Sequence, residues 1–195
     1  MSCPPKRKRR LPGKGREKQG GNMNVLLTGR PGIGKTTLIK RLIEATSLSK
    51  GGFYTEEVRE QGQRVGFSLT TLDGKRSLLA HIKIKSPYRV GRYGVDIDTF
   101  EAIGVESITK AISTNEIIII DEIGRMELFS KKFRDVVVQA LKIGRVVATI
   151  RKGKGGFIDE IKSRKDARVI EVNLKNRETL LSSLAQTVID LVNRS

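Results

Sequence analysis

From Asn24 onward, unbroken apolar runs alternate with stretches whose apolar residues recur every three or four positions. Asn24 to Thr28 carries Val25, Leu26 and Leu27 in succession and predicts a short buried strand. A glycine-rich turn follows, then a helix from Thr36 to Ala45 with Leu38, Ile39, Leu42 and Ile43 on one face. The pattern then changes. Gly52 to Arg59, Arg64 to Leu72 and Ser77 to Ile84 read as strands, with turns at Gln61-Gly62 and Asp73-Gly74. Asp-Gly between strand runs is a strong hairpin signal. Asp98 to Ser113 returns to helical spacing, with Asp98 and Glu101 at capping-box distance. Glu116 to Asp121 predicts a second core strand. Ser130 is placed to cap a helix to Lys142, with Phe133, Val136, Val137, Ala140 and Leu141 as its stripe. Val146 to Ile150 and Arg168 to Val172 read as strands, Phe157 to Ser163 as a short helix, and Asn176 to Val192 as a closing amphipathic helix.

Strands alternating with helices predict an α/β domain over 23–195, with a mainly parallel sheet flanked by helices. The hairpin-rich stretch, about 52–84, reads as an antiparallel β insertion. No internal repeat is visible. Ile117 to Ile120 is the longest apolar run, far below the ~18 residues that cross a bilayer, so no membrane partner is expected. A lone cysteine, Cys3, and a lone histidine, His81, give neither a disulfide nor a structural zinc site. Both read as surface or tail residues, and the default compartment is the cytoplasm.

The net charge of +17 is unevenly spread. Residues 1–22 hold eight Lys/Arg and one Glu, and the remainder holds thirty against twenty. A basic body favours polyanionic ligands. The first 22 residues have almost nothing to bury and read as a basic disordered tail. Pro5-Lys6-Arg7-Lys8-Arg9-Arg10 fits a nuclear-import address or a nucleic-acid arm. Met23 directly precedes the first strand, so the tail reads as an extension upstream of the domain's own start.

The chemistry begins in the first turn. Gly29-Arg30-Pro31-Gly32-Ile33-Gly34-Lys35-Thr36 fits G-x-x-x-x-G-K-[ST], the Walker A phosphate loop, between a strand and a helix as that motif requires. Glycines let the loop turn its N–H groups onto phosphate oxygens, and the helix adds its positive end. Lys35 reaches the β- and γ-phosphates, Thr36 supplies a hydroxyl to Mg²⁺, and Thr37 lies toward the α-phosphate. Asp121 and Glu122 close the run of isoleucines as a Walker B element. Asp121 supports the metal and Glu122 polarises the attacking water. Thr149, ending the next strand, reads equally as a γ-phosphate sensor and as a plain core threonine. A catalytic arginine is expected; Arg125, three residues after Glu122, is the first candidate, with Arg30, Arg164 and Arg168 as alternatives.

No N-K-x-D guanine-reading motif and no L-S-G-G-Q-like signature occurs, which sets aside GTPase switches and transporter ATPases. The chain resembles the small nucleoside-triphosphatase family of archaea, thermophilic bacteria and animals, the cancer-related nucleoside-triphosphatase family. The resemblance rests on Val25 to Thr37, Gly52 to Arg59, Arg89 to Asp96, Ile120 to Ser130 and the Arg164-Lys165-Asp166 turn. It implies a P-loop NTPase fold like the RecA and AAA+ cores. It also implies slow, Mg²⁺-dependent hydrolysis of several nucleoside triphosphates, ATP, GTP, CTP and UTP among them. Arg125 stands where the family often has Lys. Two alternatives remain open: a kinase for a small molecule or a polynucleotide end, and a nucleic-acid-associated ATPase anchored by the tail. A monomer is expected. Phe53, Tyr54, Tyr88, Arg89, Arg92 and Tyr93 are candidates for stacking on a base, weighed against ordinary packing in strands.

Overall fold

The computed structural model describes residues 23–114 and 116–193, and the basic tail with Cys3 lies outside them. Strands β1 (Asn24–Thr28), β7 (Ile117–Ile123), β8 (Val146–Ile150) and β9 (Ala167–Glu171) run parallel in the order β7-β8-β1-β9. Helix α1 (Lys35–Ala45) follows β1, α4 (Lys131–Ile143) links β7 to β8, and α5 (Phe157–Lys162) links β8 to β9. Helix α6 (Leu180–Asn193) closes the chain.

Both faces of β1, β7 and β8 are covered, which is why these three are apolar without alternation, while the edge strand β9 is partly exposed. Val25, Leu27, Ile117 and Ile119 point to one face and pack with Leu38, Ile39 and Leu42 of α1 and Leu184 and Val188 of α6. Leu26, Ile118 and Ile120 point to the other and pack with Phe133, Val137, Ala140 and Leu141 of α4. Each such aliphatic side chain contributes about 1.5–3 kcal/mol when fully buried. Ser130 caps α4 as expected, accepting from the Phe133 N–H at 2.9 Å.

The antiparallel strands are continuous with the parallel sheet. Strand β2 (Lys50–Glu60) begins two residues earlier than its sequence suggests. Its first residues, Lys50 to Phe53, pair in parallel with Ile117 to Ile120 of β7. From Phe53 onward it pairs antiparallel with β3 (Gln63–Thr71). Beyond β3 come β4 (Arg76–His81), β6 (Tyr93–Val95) and β5 (Arg89–Val90), so one mixed nine-stranded sheet spans the described residues.

Other expectations are corrected as well. Strand β4 stops at His81, short of Ile84, and His81 is buried, its Nδ1 accepting from the Lys83 N–H at 3.1 Å. The predicted helix over 98–113 is α2 (Ile97–Phe100), a π-helical turn (Glu101–Val105) and α3 (Glu106–Ser113). Its cap is Asp96, which accepts from the Thr99 N–H, while Glu101 turns to Ser130 and Lys132. The closing helix begins at Leu180, because Asn173 and Asn176 first fold the chain into a hydrogen-bonded turn. No helix among the described residues is long and apolar enough to cross a membrane.

Candidate active site

The carboxyl ends of β1, β7, β8 and β2 converge on one cleft of about 770 Å³. Such ends are where open α/β sheets bind ligands. The phosphate loop leaves β1 here. Gly34, at φ +103°, precedes the first residue of α1 in a left-handed conformation that glycine adopts without strain. Gly29 allows close approach of another kind, since a Cβ there would lie 2.7 Å from the Val172 carbonyl oxygen. The first N–H groups of α1 have no intrahelical acceptor and open onto the cleft, as a phosphate site requires.

Gly29, Pro31, Gly32, Gly34, Lys35, Thr36 and Thr37 line the cleft. Arg30 lies on the solvent side near Glu171, and Ile33 packs into the core beside α1. Lys35 is buried, donates to the Gly29 carbonyl at 3.5 Å and stands 3.9 Å from Glu122 Oε2. The loop therefore aims a cation at the position where the terminal phosphate would sit.

Asp121 is fully buried and completely partnered. Its Oδ2 accepts from the Thr36 hydroxyl at 2.8 Å, its Oδ1 accepts from the Thr149 hydroxyl at 2.6 Å, and the Thr55 N–H of β2 also donates to it. Burial pushes the Asp121 carboxyl up, and these three donors and Lys35 oppose that push. Thr149 thus holds the Asp121 carboxylate in place. Glu122, joined to Asp121 by a cis peptide bond, is partly buried. Burial raises its carboxyl, Lys35 opposes the rise, Asp121 adds to it and Arg151 opposes it.

The Thr36–Asp121 pair fits Mg²⁺. The hydroxyl proton of Thr36 is committed to Asp121, so its oxygen lone pairs remain for a cation. Mg²⁺ is ordinarily held by one or two carboxylates or hydroxyls completed by substrate phosphates and water.

Among the arginines, Arg125 lines the cleft and is exposed. Arg164 is engaged elsewhere: its Nε and Nη2 donate to the two carboxylate oxygens of Asp166. The Asp166 carbonyl then accepts from the backbone and side chain of buried Asn24, fastening that turn to β1. Arg168 is exposed on the edge strand β9 and lies outside the cleft lining. Arg151, just past the end of β8, lines the cleft beside Glu122 and was not singled out from the sequence. Thr55 and Glu127 were likewise missed; both stand inside stretches that carry the family resemblance.

The aromatic candidates divide. Phe53 is core, edge-on to Phe100 at 5.7 Å. Tyr93 is buried edge-on against Phe67 at 5.4 Å. Tyr88 stacks on Phe129 at the surface. Tyr54 lies under the Lys40 ammonium at 4.6 Å.

A family model described as NTPase matches residues 24–185, which is most of the chain. The chain belongs to this NTPase family. A member from Thermotoga sp. (strain RQ2), named nucleoside-triphosphatase THEP1, is 50% identical over 163 residues, covering 83% of this chain and 93% of its own. Two solved family members share the fold. The crystal structure of THEP1 from Aquifex aeolicus matches with a TM-score of 0.79 at 38% identity, covering 85% of this chain and 99% of that one. The solution structure of a human cancer-related nucleoside triphosphatase matches with a TM-score of 0.71 at 38% identity, covering 85% and 97%. The P-loop NTPase fold inferred from the motifs is therefore the fold of the family.

Proposed function

We propose that this enzyme is a Mg²⁺-dependent nucleoside-triphosphatase that converts ATP, GTP, CTP and UTP, slowly, to the diphosphate and phosphate. The observation that carries the reading is the convergence at one cleft of Lys35, Thr36 and Glu122, with buried Asp121 holding the Thr36 hydroxyl from behind and held in turn by Thr149. Family membership and the names of the relatives point the same way.

The phosphate loop binds the β- and γ-phosphates through its N–H groups and Lys35. Thr36 and Asp121 would hold Mg²⁺, which when bound supplies charge neutralisation on the phosphate oxygens. Glu122, next to Lys35, orients a water in line with the terminal phosphorus and accepts its proton. Lys35 stabilises the negative charge that develops on the departing diphosphate.

A second reading, transfer of the phosphoryl group to an acceptor other than water, draws on one feature. Beyond Glu122 the cleft continues along Thr55, Glu57, Arg64, Phe67 and Val90, a wall that a triphosphate chain does not need.

The deciding experiment is phosphate release from the four triphosphates with Mg²⁺, using Lys35→Ala and Glu122→Gln as controls. Slow release from all four is expected, abolished in Lys35→Ala and cut to a small residual rate in Glu122→Gln. Full turnover by Glu122→Gln removes Glu122 from the mechanism. Bound nucleotide with no release in the wild type turns the assignment toward the acceptor reading.

A further inference from the structure

We infer that Glu127 is a positioning residue for Glu122, holding that carboxylate in its working orientation from across Gly124. The inference rests on the role given to Glu122 above.

Glu127 opens a one-turn 3₁₀ helix (Glu127–Phe129) just after β7. The turn is tied by the Leu128 N–H to the Gly124 carbonyl at 3.2 Å and by the Ser130 N–H to the Glu127 carbonyl at 3.1 Å. Its side chain is only 5% exposed, yet it lines the cleft together with Glu122. A buried carboxyl is costly unless its polar atoms are satisfied. Here the side chain folds back to accept from its own N–H and from that of Gly124. These bonds fix where the carboxyl stands.

Gly124 separates the two acids. A Cβ on Gly124 would lie 2.8 Å from Glu127 Oε2 and 3.2 Å from Glu122 Oε1. The two side chains therefore close around a residue that has none, and each limits where the other can go. The charges acting on Glu127 are those of Glu122 and Asp121 on β7. Beyond Glu122 stand Lys35 of α1 and Arg151 after β8. On the helical side Asp98 belongs to α2, Lys132 of α4 pairs with Glu101, and Arg134 of α4 donates to the Leu128 carbonyl. Burial is the main cause that pushes the Glu127 carboxyl up to about 8, with the two neighbouring acids adding to it. The raised value keeps Glu127 largely uncharged at neutral pH, and Glu122 acts on it as a neighbouring charge across Gly124. An uncharged neighbour limits where the Glu122 side chain can go without repelling it, as an ionised one would.

A positioning residue acts through its partner, so a double-mutant cycle tests it. The quantities are kcat and nucleotide affinity for the wild type, E127A, E127Q, G124A, E122Q and E122Q/E127A. E127A is expected to lower kcat about 10- to 100-fold, the scale of misplacing a reacting group by an ångström, with affinity unchanged. E127Q keeps the uncharged bulk beside Gly124 and most of the rate. G124A, whose new methyl displaces both carboxyls, repeats the loss. In the E122Q background E127A costs nothing further. Unchanged affinity reports that a variant is folded; where E127A loses it, G124A carries the comparison. Wild-type kcat in E127A or G124A overturns the inference, as does an equal loss from E127A in both backgrounds. Wild-type turnover by E122Q instead overturns the role of Glu122 itself.

Discussion

Thr149 and Asp121 are joined across neighbouring parallel strands by a 2.6 Å hydrogen bond from hydroxyl to carboxylate. The bond ties the end of β8 to the residue that would hold the metal, and it opposes the rise that burial imposes on that carboxyl. Thr149→Val keeps the shape and removes the donor. It is expected to cost about 1–3 kcal/mol, the penalty for a buried acceptor that loses its partner. The Mg²⁺ concentration needed for half-maximal hydrolysis should also rise. Thr149→Ser should restore both. Denaturant melts and Mg²⁺ titrations of phosphate release measure the two effects.

The cleft separates the arginines. Arg151 acts electrostatically on Glu122, whereas Arg164 is spent on Asp166. A cation supplied to the transition state of phosphoryl transfer is worth about 10³–10⁵ in rate when fully engaged. Arg151→Ala is expected to lower kcat by at least tenfold, on that scale, with little change in stability. Arg125→Ala should do less, because Arg125 is exposed. Arg164→Ala should lower the melting temperature and leave kcat alone. Steady-state kinetics beside thermal melts distinguish the three.

Glu127 makes stability depend on pH. Its folded-state carboxyl titrates at about 8, and its ordinary value is 4.5. Between those values the unfolded chain has released a proton that the folded chain retains, so rising pH favours unfolding. The loss begins above 4.5, accumulates at up to about 1.4 kcal/mol per pH unit, and levels off once pH exceeds the folded value. Glu127→Gln has no proton to release. The stability of the variant relative to wild type, measured without metal, should rise across this window and be flat above it. A difference independent of pH would show that Glu127 does not titrate there.

The aromatic residues offer a simpler contrast. Tyr93 is sandwiched between Phe67 and the guanidinium of Arg92 and donates to the Arg64 carbonyl. Tyr93→Ala should therefore destabilise the antiparallel half without altering nucleotide affinity. A weakened affinity for all four triphosphates would instead assign it a place against the base.

What was legible in the sequence is what lies in consecutive residues. The phosphate loop spans eight positions and Asp121-Glu122 two, so each is read without knowing the fold. The apolar strands were equally plain because both sheet faces are buried. The missed residues depend on long-range placement. Arg151 reaches the cleft only because β8 lies beside β7 in register Ile120 to Ala148. Glu127 is inside only because the turn after β7 folds back on Gly124. The start of β2 was hidden for a packing reason: α3 lies so close to Gly51 that a Cβ there would meet that of Ala111 at 2.5 Å. The strand edge that joins the core is backbone, with no apolar side chain to announce it. The sequence spacing points to Asp98 as the helix cap, two residues past the actual cap Asp96, since either acid suits the local pattern and only the chain path chooses.

Because β2 changes partner at Phe53 without a break, its outer half is cantilevered from the sheet that carries the phosphate loop. Thr55, which donates to Asp121, sits two residues past that change. The antiparallel half cannot be excised or swapped as a cassette, since any cut that removes it severs the strand whose backbone donates to Asp121. Change in that half comes by substitution along existing strands that share one continuous backbone with Thr55.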